Sequence, residues 1–185
     1  KALGRGQRFW YTKELSLQLA ERLGNEQSLR KALERDELIL YYQPKFHAQS
    51  GQLSGVEALL RWRRPERGLV LPASFIALAE TAGLIVQIGE WVMAHAVRQM
   101  ADWQRAGTAI PRIALNLSPE QLRVSNVADF LRDQLRQHQL AGESLEIEIT
   151  ESAVVEQSVV VKNQIANLRA LGVRLMIDDF GAGYS

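Results

Sequence analysis

Oxygen-bearing side chains stand where short apolar runs finish. Glu57 lies in Gly55-Val56-Glu57-Ala58-Leu59, and Asn116 closes Ile113-Ala114-Leu115-Asn116. Glu148 lies in Leu145-Glu146-Ile147-Glu148-Ile149-Thr150-Glu151, and Asp178-Asp179 follow Leu175-Met176-Ile177. Carboxylate and amide oxygens brought together are the ligands that hard divalent cations prefer. Clustered carboxylates repel one another, so such a group is hard to keep ionised without a bound cation. The chain has no cysteine, and its three histidines, His47, His95 and His138, are scattered. That disfavours zinc and favours Mg²⁺ or Mn²⁺. Any one of these carboxylates alone reads equally well as a helix cap or a salt-bridge partner. Glu146 alternates with Glu148, and spacing does not choose between them.

The elements that position these groups are legible from periodicity. Leu15, Leu19, Leu23, Leu29 and Leu33 recur at helical spacing, with Gly24-Asn25 expected to break the helix near its middle. Leu38 to Tyr42 predicts a strand closed by Pro44, with Leu53 to Leu60 as its hairpin partner across a turn at Ser50-Gly51. The run Arg61, Arg63, Arg64, Glu66, Arg67 reads as a solvated loop. A short helix from Pro72 ends at Gly83, and a longer one runs from Ile85 to Arg105 with Gly107 beyond it. Then come a strand (112–117), a helix (127–140), a strand (145–149), a helix (159–171) and a strand (173–177). Alternating strands and helices with short connections predict a parallel α/β sheet, whose strand ends open on one face.

Composition fits an ordinary globular domain, 46% hydrophobic and 23% charged. The formal net charge of +1 supplies no basic field for a nucleic acid polymer. No apolar run approaches the ~20 residues of a membrane span, and a cytoplasmic location is expected. After the acidic pair, Phe180-Gly181-Ala182-Gly183-Tyr184-Ser185 reads as a pliable loop over the strand ends. Asp179-Phe180-Gly181 does not signify a protein kinase, because no Gly-rich nucleotide loop or His-Arg-Asp loop precedes it.

Five blocks in order resemble the signature of EAL domains. They are Tyr42-Gln43-Pro44, Val56-Glu57-Ala58-Leu59-Leu60-Arg61-Trp62, Asn116-Leu117-Ser118, Glu148-Ile149-Thr150-Glu151 and Asp178-Asp179-Phe180-Gly181-Ala182-Gly183-Tyr184-Ser185. The resemblance covers residues 37–185. It implies a TIM-type (β/α)8 barrel whose first strand is antiparallel, with about five strands in this chain. It implies hydrolysis of cyclic di-GMP to linear pGpG with two Mg²⁺ or Mn²⁺ ions, in bacterial second-messenger signalling. Glu57, Asn116, Glu148, Asp178 and Asp179 match the family's metal ligands, Glu57 and Asp179 counting also as catalytic. Gln43, Leu60 and Arg61 match substrate contacts, Arg61 offering its guanidinium fork to a phosphate. Glu151 matches the residue that steadies the glycine loop, which is linked in the family to homodimer formation. Paired cations suit a phosphodiester, since they acidify the attacking water and screen the phosphate. The alternative is an inactive EAL-type receptor that signals by binding cyclic di-GMP.

Residues 1–12 resemble the end of a GGDEF domain, which makes 13–36 an inter-domain helix and implies a parent with upstream GGDEF and sensory domains. A whole (β/α)8 barrel needs ~200 residues or more, so the chain is expected to be part of a longer protein. The resemblance places the lysine, glutamate and glutamine that complete the site beyond Ser185.

Overall fold

The computed structural model describes residues 13–156 and 158–178, with side chains from residue 23 on except that of Ser152. The GGDEF-like residues 1–12, Asp179 and the glycine loop lie outside the described residues.

Helix α1 (Lys13–Glu34) runs straight through Gly24, contrary to the expected break. A glycine inside a helix costs only about 1 kcal/mol relative to alanine. Here Ser28 Oγ donates to the Gly24 carbonyl at 2.8 Å, and Arg64 Nη1 donates to Asn25 Oδ1 at 2.9 Å. Leu29 and Ala32, on its last turns, are fully buried against the domain.

Strand β1 (Leu38–Phe46) continues past Pro44, which stands opposite Val56 of β2 (Leu53–Arg64). Val56 turns its N–H to the Arg112 carbonyl beside β4, so the β1–β2 ladder needs no N–H from Pro44. The hairpin turn holds Gly51 at φ +67°, a conformation other residues adopt at a cost. The arginine run is not a loop. Arg61, Arg63 and Arg64 belong to β2, and Trp62, Arg63 and Arg64 pair with β3 (Gly68–Val70). Charged side chains that alternate with buried ones satisfy a strand as well as a loop, and here the ladder decides.

A 3₁₀ turn (Pro72–Ser74) and α2 (Ile76–Thr81) lead to α3 (Ile85–Arg105). Strand β4 (Ile113–Leu117), α4 (Pro119–Val124) and α5 (Val127–His138) follow. Strand β5 (Leu145–Thr150), α6 (Glu151–Val155), α7 (Val159–Ala170) and β6 (Arg174–Asp178) complete the order. The short helices α4 and α6 escape a periodicity search, since one turn and a half carries no amphipathic signature.

The sheet order is β1-β2-β4-β5-β6, with β3 added to β2. β1 is antiparallel to β2, and β2, β4, β5 and β6 are mutually parallel. Among the described residues this is the expected path of five barrel strands, unclosed, with one extra short strand. One face of the sheet is the core: Val56, Ala58, Ile113, Leu115, Leu145 and Ile147 pack with Met93, Val97 and Met100 of α3 and Leu131 of α5. Near α1 a second cluster joins Leu29, Leu38 and Trp62 to Phe75, Leu84 and Ile88. Trp62 and Phe75 meet edge to face, ring centres 5.7 Å apart.

Candidate active site

Parity along the strands sorts chemistry from core. Side chains alternate faces, and residues level in a parallel ladder share a face. Gln43 stands opposite Glu57, Glu57 beside Ala114, Asn116 beside Glu148, and Thr150 beside Asp178. Gln43, Glu57, Arg61, Asn116, Glu148 and Asp178 therefore all occupy the face turned away from the helices. Leu60 has the other parity: its side chain is buried with Trp62 and Ile88. It also lines a largely apolar cavity of about 340 Å³ at the strand ends, together with Ile85, Val92, Leu117, Glu148 and Asp178.

The polar groups meet at short range. Asn116 Nδ2 donates to Glu57 Oε1 at 2.7 Å, bridging β4 and β2. Lys45 Nζ lies 2.5 Å from Glu148 Oε1 and 2.6 Å from Glu146 Oε1. Burial raises Glu148 above the usual carboxylate range; the Lys45 hydrogen bond and charge oppose this, while the Glu57 and Asp178 carboxylates reinforce it. For Lys45, burial pulls the ammonium down, but its hydrogen bonds to Glu146 and Glu148 outweigh that and hold it above its ordinary value.

Glu146 and Glu148 differ in their surroundings. Both are buried, and two residues apart they share the open face. Glu146 lies nearer the N-terminal ends of the strands, with Arg112 and Arg174 each 3.9 Å from its Oε2. Lys45 was not singled out in the sequence. Its alternation with Gln43 along β1 carries the signal, but its partners lie more than a hundred residues away.

Arg61 keeps its guanidinium close to β2: Nη1 donates to the Leu60 carbonyl at 2.9 Å, and the group lies 5.8 Å from the Tyr41 ring centre. Glu151 opens α6, directly after the N-cap Thr150, where a carboxylate suits the positive end of the helix dipole.

Among the described residues no three His, Asp or Glu side chains form a ready cluster for a cation. The donor chemistry nevertheless fits one. With Nδ2 committed to Glu57, Asn116 has its carbonyl oxygen left for another partner. Glu57, Glu148 and Asp178 add carboxylate oxygens on the same face of β2, β5 and β6. An all-oxygen set suits Mg²⁺ or Mn²⁺.

A family model described as the EAL domain matches residues 26–185. The chain belongs to the EAL domain family. The EAL match begins within α1, whose buried Leu29 and Ala32 pack as part of the domain. Over its whole length the chain is 43% identical to a bifunctional diguanylate cyclase/cyclic di-GMP phosphodiesterase, MucR of Pseudomonas aeruginosa. It is 40% identical over 182 residues to the cyclic di-GMP phosphodiesterase PdeR of Escherichia coli. In each case it spans 27% of the relative's length. A solved MucR phosphodiesterase in complex with c-di-GMP matches with a TM-score of 0.81 and 46% identity, over 89% of this chain and 66% of that one. The fold is thus the TIM-barrel-like EAL architecture, with relatives named as cyclic di-GMP phosphodiesterases. No described helix of this EAL chain is long and apolar enough to cross a membrane.

Proposed function

We propose that this EAL chain belongs to a metal-dependent phosphodiesterase that hydrolyses cyclic di-GMP to linear pGpG. One observation carries the reading: Glu57, Asn116, Glu148 and Asp178, from four adjoining parallel strands, lie on one face with Asn116 bonded to Glu57. Active sites of parallel α/β barrels sit at this end of the strands.

In this reading Glu57, Asn116, Glu148 and Asp178, with Asp179, hold two Mg²⁺ or Mn²⁺ ions. When bound, such ions supply Lewis acidity to the phosphate and acidify the attacking water. The protein's own groups bind and orient. Gln43, level with Glu57 across the β1–β2 ladder, contacts the dinucleotide, and Leu60 contributes from the rim of the apolar cavity. Arg61 turns its guanidinium from the Leu60 carbonyl toward a phosphate, which two parallel N–H donors match. Glu151 steadies the glycine loop from the start of α6. The protein acts as a homodimer through an EAL domain that lies in the cytoplasm, within a polypeptide that carries an upstream GGDEF and a sensory domain. Residues 13–36 then form the connection between domains, with the last turns of α1 packed on the EAL domain.

The test is a hydrolysis assay on the intact protein with Mg²⁺ or Mn²⁺. Conversion of cyclic di-GMP to pGpG, lost in Glu57→Ala, supports the reading. Binding of cyclic di-GMP without turnover in either metal overturns it in favour of a receptor.

A further inference from the structure

We propose that Lys45 is the positioning residue of the candidate metal site, holding Glu148 by one carboxylate oxygen so that the other is presented to an ion; this rests on the reading of Glu148 as a ligand. Lys45 is on β1 and Glu148 on β5, with β2 and β4 between them. The lysine crosses both strands over the open face. On that face it stands opposite Gly55, which has no side chain, and Ala114, level with Glu146, offers only a methyl.

The ammonium reaches Oε1 of both glutamates, at 2.6 Å for Glu146 and 2.5 Å for Glu148. The two carboxylates are not equivalent. Glu146 is bracketed by Arg112 and Arg174 as well as Lys45, so it is fixed from three sides and serves as the anchor. Glu148 faces the carboxylates of Glu57 and Asp178, and Lys45 is the cation that holds it. With Oε1 committed to Lys45, Oε2 is the oxygen left for an ion. Lys45 itself is no ligand: it is a cation, and it acts through Glu148. Outer partners of metal ligands fix the orientation in which those ligands meet the metal.

The experiment is Mn²⁺ titration of the intact protein, read by the electron paramagnetic resonance signal of free Mn²⁺, for wild type and the variants Lys45→Met, Lys45→Arg, Glu146→Gln and Glu148→Gln. Lys45→Met is expected to weaken Mn²⁺ binding about tenfold or more, the range typical of lost outer-shell partners. Lys45→Arg, which keeps the charge and the donors, restores most of it. Glu146→Gln loosens the anchor and weakens binding in the same direction by a smaller factor. Circular dichroism checks folding; should Lys45→Met not fold, weakening in Glu146→Gln with retention in Lys45→Arg still supports the assignment. Unchanged or tighter Mn²⁺ binding in Lys45→Met, with binding lost in Glu148→Gln, overturns the role of Lys45 and leaves the metal site standing. Unchanged binding in Glu148→Gln overturns the site itself, and the role of Lys45 with it.

Discussion

Asn116 of β4 and Glu57 of β2 are joined by a 2.7 Å hydrogen bond across two neighbouring parallel strands. The bond fixes which end of the amide faces the carboxylate, and so gives the pair a defined polarity: an amide oxygen and a carboxylate oxygen remain for a third partner.

Replacing Glu57 with alanine removes the carboxylate and frees the Asn116 amide to turn. Hydrolysis of cyclic di-GMP should fall more than about 100-fold, beyond the usual effect of losing an outer-shell partner. The fold should survive, because Glu57 lies on the open face away from the helices. Turnover and a thermal melt, measured side by side, check this. Activity near wild type would remove Glu57 from the site.

Gly55 is where the open face admits no side chain. A Cβ there would stand 2.8 Å from both the backbone oxygen and Cγ of Arg112. The arginine side chain can shift, but the carbonyl belongs to the ladder between β2 and β4, since Val56 N–H donates to it at 3.0 Å. Gly55→Ala should therefore cost about 1–3 kcal/mol, the usual penalty of overpacking, seen as a lower urea midpoint with an unchanged slope. A neutral result would mean that β2 relaxes freely at this point.

Trp62 ties three elements. Its ring is fully buried against Phe75, and its Nε1–H donates to Glu37 Oε2 at 3.1 Å just after α1. Trp62→Ala should destabilise by about 3–5 kcal/mol, as large aromatic deletions do. Trp62→Phe should cost less, since it keeps most of the ring and loses the hydrogen bond. Chemical denaturation of both variants tests the order; equal losses would assign the whole effect to Glu37.

Tyr42 packs edge to face on Trp103, ring centres 4.9 Å apart. Burial pushes its hydroxyl up to about 12 from 10.0, opposed in part by the charge of Arg98. A raised acid pKa favours the neutral form in the folded state. Its contribution is fully present below pH 10 and is lost as pH rises from about 10 to 12, because the unfolded chain gives up the proton first. Tyr42→Phe should flatten the fall of stability across that window. Parallel slopes for the two proteins between pH 9 and 12 would contradict this.

How much of this was legible in the sequence depended on the length scale of the signal. Long α3 and the apolar strands announced themselves, since each repeats its pattern several times. The five EAL blocks point to the candidate site although its members lie as much as 135 positions apart, from Gln43 to Asp178. What escaped was set by pairing rather than by pattern. β3 is three residues long and exists through its ladder to Trp62, Arg63 and Arg64. Pro44 stays in a strand because its partner Val56 turns its N–H to the Arg112 carbonyl beside β4, so the β1–β2 ladder needs no N–H at this position. Lys45 could not be matched to Glu146 and Glu148 without knowing that β1 lies across two intervening strands, over a glycine and an alanine.

The alternation in β2 has one further consequence. Glu57, Leu59 and Arg61 serve the open face, while Val56, Ala58, Leu60 and Trp62 fill the core. Chemistry and packing are thus interleaved letter by letter, like two messages sharing one line of type. Inserting one residue would exchange the messages, putting a carboxylate into the oil and a valine onto the open face. Inserting two would keep both in phase and merely shift them. Length changes in this strand are therefore expected to be tolerated, if at all, only in even steps.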